Sequence, residues 1–82
     1  RTMYAKKMPQ IVSQLIEKAN AGDEEAAFLL GLAYVTIDEI RDENMAFHWM
    51  KFAYDHHANF ATSVLGVYYE EGIGIKKDTK LA

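Results

Sequence analysis

The pattern Ala26-x-x-x-Leu30-Gly31-x-x-Tyr34 returns thirty-five residues later as Ala61-x-x-x-Leu65-Gly66-x-x-Tyr69. A unit of this length cannot bury its apolar side alone and must stack on a neighbour. The chain is therefore expected to be a repeat protein, and stacked repeats usually present a surface. A second match, Asp42-x-x-x-Ala46 with Asp78-x-x-x-Ala82, carries a shift of thirty-six. One residue is thus missing between Tyr34 and Asp42, a stretch read as a loop, where length changes disturb neither helical period nor capping.

Helical spacing and punctuation divide the chain further. Pro9 suits a first helical turn, and Ile11, Val12, Leu15, Ile16 and Ala19 recur at helical spacing, which predicts a helix over 9–20. The preceding Thr2 to Met8 reads as a further turn or a tail. Gly22 can take the left-handed conformation that ends a helix, and Asp23 then caps a second helix over 24–36, with Glu24 and Glu25 at its positive end. Asp42 is the next N-cap, opening a helix that runs to about Tyr54 or Asp55. Asn59 is expected to cap a fourth helix ending before Gly72-Ile73-Gly74, and Asp78 to open a fifth. Short connections make consecutive helices antiparallel, so the product is a series of helical hairpins. Gly31 and Gly66 lie inside helices, where glycine costs up to about 1 kcal/mol against alanine. Close approach of a neighbouring helix is the expected compensation at both. Ala26, Ala46, Ala53 and Ala61 would keep other crossings narrow, while Leu30, Leu65, Tyr34, Tyr69 and Trp49 fill the wider gaps.

Composition narrows the class. The 82 residues are half hydrophobic and 26% charged, as in a folded domain. A net charge of -3 with scattered lysines gives no basic field for nucleic acid. No apolar run approaches the roughly twenty residues that cross a bilayer, so membrane insertion is not expected. The chain begins at Arg1, and Ala82 follows the expected cap at Asp78 by only four residues, so both ends read as cut from a longer protein. The lack of cysteine removes disulfides and thiol nucleophiles and fits either the cytoplasm or an oxidising compartment.

The succession A-x-x-x-L-G-x-x-Y, a G-x-G-hydrophobic loop, then D-x-x-x-A-x-x-W resembles the SEL-one-like repeat, a tetratricopeptide-related unit of about thirty-six residues. Residues 15–22 look like the end of one unit, 22–57 like a full unit and 58–82 like the start of the next. The resemblance implies an all-α fold, a right-handed α/α superhelical solenoid, used as a protein scaffold or adaptor and not as a catalyst. The sequence departs from the pattern in three places. Val35 to Ile40 replaces the loop glycines in the first unit, His57 stands where a glycine would end the third helix, and Phe52 stands where lysine is common. The first loop should therefore differ in shape, and His57 tolerates the left-handed region less readily than glycine.

In tetratricopeptide arrays the first helix of each hairpin lines the concave face. By that resemblance Glu25, Phe28, Leu29, Leu32, Val35 and Thr36 line it in one unit, and Phe60, Ser63, Val64, Val67, Glu70 and Glu71 in the next. The partner-binding set taken from these is Glu25, Phe28, Leu32, Val35, Ser63, Val67 and Glu70. It describes an apolar floor from Phe28, Leu32 and Val67 with an acidic edge from Glu25, Glu70 and Glu71, suited to a protein helix or extended peptide with basic flanks. The competing reading puts Leu29 and Val64 in the core and lets Phe28 merely touch the first helix.

Chemistry of other kinds finds little support. His48 and His56 are two turns apart, His56 and His57 face different ways, and no His-Glu-x-x-His pattern occurs, so no metal is expected. Gly72 and Gly74 lack the Gly-Lys-Ser/Thr of a phosphate loop and read as a turn. Ser13, Thr62 and Ser63 have no histidine and acid partners arranged by sequence, so neither an enzyme nor a cofactor is expected. One alternative is structural, a length of solenoid self-associating through a C-terminal repeat that leaves Val64 and Tyr68 exposed; a weaker one is a sugar-binding domain stacking on Trp49 and the tyrosines, most of which packing already explains.

Overall fold

The computed structural model describes residues 10–75, which form four α-helices: α1 (Gln10–Asn20), α2 (Glu24–Thr36), α3 (Glu43–Asp55) and α4 (Ala61–Glu71). The fold is all-α, and no strand occurs among the described residues. Pro9, the segment from Thr2 to Met8 and the fifth helix expected at Asp78 lie outside them. Each helix packs on its neighbours in sequence, α1 on α2, α2 on α3 and α3 on α4, with the broadest interface between α2 and α3.

The helix ends follow from local chemistry. Asp23 Oδ1 accepts the N–H groups of Glu25 at 2.9 Å and Ala26 at 3.0 Å, and Asp42 Oδ1 accepts that of Met45 at 3.1 Å. Three helices end in the same way. Asp23 N–H donates to Lys18 O, Ala58 N–H to Ala53 O and Ile73 N–H to Tyr68 O, each over a residue at positive φ: Gly22 (+100°), His57 (+66°) and Gly72 (+72°). His57 therefore occupies the left-handed position that its glycine counterparts take without strain.

The first loop indeed has its own shape. Asp38–Ile40 forms a short 3-10 turn that buries Ile40. Asp42 N–H donates to Tyr34 O at 2.9 Å, and the Arg41 guanidinium donates to Val35 O at 2.6 Å while pairing with Glu43 at 2.7 Å. The second loop folds back on α3, where Gly74 abuts the Glu43 carbonyl and Phe47.

The start of α4 departs from expectation. Asn59 does not cap it: the N-cap residue is Phe60, in the left-handed region at φ +67° and ψ -4°, with no side-chain capping bond. Here Ala61 N–H is taken by Ala58 O at 3.3 Å, and Asn59 lies one residue too early to address the first-turn amides.

The core is a seam of small residues interleaved with larger apolar and aromatic side chains. Ala27, Leu30, Ala46, Met50, Ala53 and Ala61 are wholly buried, with Val12 at 1% exposure. Ala26, Tyr34, Trp49 and Leu65 are also buried, whereas Tyr69 is half-buried and meets Phe47 edge-on at 5.6 Å. Gly31 permits the closest crossing: a Cβ there would lie 2.6 Å from Met50 Cε and 3.1 Å from Met50 Cβ and N. At Gly66 the described residues make no such approach: a Cβ there would meet none of them within 4 Å. Among the described residues, no element crosses α4 at this point as α3 crosses α2 at Gly31.

Tyr68 also departs from expectation. It is 3% exposed and not an open end: its hydroxyl donates to Gly31 O at 2.6 Å, so the side chain turns back toward α2. Trp49 packs edge-on to Phe52, and its indole N–H has no acceptor among the described residues.

Candidate functional site

Two local features meet at one end of α2. The Asp23 cap starts the helix with Glu24 and Glu25 in its exposed first turn, followed by half-buried Phe28 and exposed Leu29. Opposite them, the left-handed residues His57 and Phe60 bend the chain sharply between α3 and α4. Between the two lies an open pocket of about 360 Å³, lined by Glu24, Glu25, Phe28 and Leu29 on one side and by the turn from His57 to Phe60 on the other.

The pocket combines apolar surface with acid. Phe60 is 77% exposed, the most exposed large apolar side chain among the described residues, and Leu29 is 42% exposed. Leaving such groups in water forfeits the usual gain from burying them, about 1.5 to 3 kcal/mol for a whole large apolar side chain. Phe60 adds backbone strain, since a bulky residue at positive φ is a true outlier. The Asp23 carboxylate is already engaged by the first-turn amides, whereas Glu24 and Glu25 enter no ion pair among the described residues.

Only Glu25 and Phe28 of the expected partner-binding set line this pocket. Leu32 and Val35 are half-buried and pack against the core. Ser63, Val67 and Glu70 are exposed along α4, with Val67 at 43%, and do not line the pocket. Thr36 turns its hydroxyl back to Leu32 O at 2.9 Å. Leu29 is exposed and not in the core, while Val64 is partly buried against it. In the sequence Glu24 has no site role, and His57 reads as the end of the third helix and Asn59 as the cap of the fourth rather than as parts of a site.

Comparison with protein-family models, curated proteins and solved structures gave no match.

The histidines take separate local roles. His48 lies edge-on to Trp49, and His56 stacks on Phe52 at 4.1 Å with Nδ1 3.0 Å from Phe52 O. No group of three His, Cys, Asp or Glu side chains among the described residues is placed to hold a metal. No described helix is long and apolar enough to cross a membrane.

Proposed function

We propose that this chain is a protein-interaction module, a segment of a SEL-one-like α/α solenoid whose concave face receives a helix or extended peptide from another protein. The observation that carries the reading is the exposed, strained Phe60 beside exposed Leu29 on the wall of an open pocket. A ring held outside the core in an unfavourable backbone conformation fits a residue kept for contact with a partner. The face is continued by Ser63, Val67 and Glu70 on α4, with Leu32 and Val35 forming its partly buried floor. Packing of each helix on its sequence neighbours supports the solenoid reading, as do the three helix ends of one type.

Selection of random peptides displayed on phage tests this reading, with the chain carrying Leu29→Glu and Phe60→Glu as the counter-target. Both side chains are exposed, so the variant should keep its helical circular dichroism. Peptides that bind the wild type and not the variant are expected. No enriched peptide, or equal binding to both proteins, would sink the proposal.

A second reading, a structural length of solenoid, draws on Gly66, which no described residue covers, and on exposed Val67 of α4. It predicts concentration-dependent self-association, and a monomer at high concentration in sedimentation equilibrium would count against it. Tyr68 lends it no support, being buried against α2.

A further inference from the structure

We infer that the pocket between the first turn of α2 and the turn from His57 to Phe60 takes the basic side chain, lysine or arginine, of the docked peptide. The inference rests on the docking face proposed above and specifies the partner's chemistry.

Charge and shape agree on this occupant. A helix N-terminus ordinarily favours anions because its first amides point outward. Here the Glu25 and Ala26 amides are both taken by Asp23 Oδ1, at 2.9 and 3.0 Å, so those two donors are not offered to an anion. Three consecutive carboxylates, Asp23, Glu24 and Glu25, outweigh the helix dipole, which amounts to roughly half a positive charge. An incoming anion would be repelled and a cation attracted.

The rest of the lining suits the stem of a long cation. Lysine and arginine lay their methylenes along apolar surface and keep the charge at its edge. Leu29 and Phe60 provide exposed apolar surface, with Glu24 and Glu25 beside it, and the aromatic rings of Phe28 and Phe60 add cation–π attraction. An aliphatic side chain would fill the apolar part but leave the carboxylates without a counter-charge.

The test titrates the full ¹⁵N-labelled chain at low salt with acetylated, amidated Gly-Leu-Arg-Leu-Gly, and with versions carrying Lys, Gln or Glu at the central position. Saturable amide shifts confined to Glu24 to Leu29 and His57 to Ala61 are expected with Arg and Lys. Affinity should fall about tenfold or more with Gln, as for loss of a charge-assisted contact. The Glu24→Gln, Glu25→Gln variant should erase the preference while retaining the wild-type amide pattern elsewhere, which shows that it is folded. If the Gln peptide shifts the same amides with equal affinity, the basic anchor is wrong and the docking face stands. If Arg and Lys peptides shift other regions or none, the anchor is also wrong, and the docking face is then judged by the display selection alone.

Discussion

The Tyr68 hydroxyl donates to the Gly31 carbonyl at 2.6 Å, joining α4 to α2 across thirty-seven residues of sequence. Gly31 is thus used twice, since its bare α-carbon admits Met50 of α3 while its carbonyl receives α4. Three helices meet at a single residue, α3 through Met50 and α4 through Tyr68 on Gly31 of α2.

Tyr68→Phe should lower stability by about 1 kcal/mol, the usual worth of one buried hydrogen bond, with helical content unchanged. Burial also holds the Tyr68 phenol above its ordinary value near 10. With the folded pKa raised, the native state keeps a proton that the unfolded chain loses, so this stabilisation is present below pH 10 and declines as pH rises through the folded pKa. Denaturant midpoints above pH 10 should therefore fall more steeply for wild type than for Tyr68→Phe. Some alkaline loss should persist in the variant, because burial and then the Asp42 charge also raise Tyr34.

Gly31→Ala and Gly66→Ala should act in opposite directions despite occupying equivalent repeat positions. At Gly31 the added methyl meets Met50, including its backbone N at 3.1 Å, and overpacking of about 1 to 3 kcal/mol outweighs the gain in helix propensity. At Gly66 the methyl meets nothing among the described residues, so the propensity gain of up to about 1 kcal/mol should appear as added stability. Urea unfolding of the two variants checks both signs.

Asp42→Ala should cost about 1 kcal/mol through loss of the bond to the Met45 amide, while Asn59→Ala should be nearly neutral because Asn59 caps nothing. Equal costs in thermal unfolding would restore Asn59 as the functional cap.

What the sequence revealed follows from the range of the interactions involved. The boundaries of α2 and α3 were legible because Asp23 and Asp42 act on amides two or three residues away. Gly31 was legible because glycine inside a helix needs a compensating contact, whereas opposite Gly66 no partner lies among the described residues, and the fifth helix expected at Asp78 is outside them. Tyr68 was illegible. Its counterpart thirty-five residues earlier is Ala33, so the repeat gives no hint of a phenol there, and its acceptor is a distant backbone carbonyl. At the candidate site Glu25, Phe28, Leu29 and Phe60 follow from the resemblance to tetratricopeptide arrays, yet the left-handed conformation of Phe60 carries no sequence signal, because it stands beside an asparagine that resembles a cap.

Phe60→Gly tests the central claim most directly, because it removes the exposed ring and relieves the backbone in one step. Glycine adopts positive φ freely, so stability should rise by about 1 kcal/mol while the variant loses the peptides selected on wild type. A variant that is more stable and still binds those peptides with wild-type affinity would show that Phe60 is only a strained surface residue and that the docking face lies elsewhere.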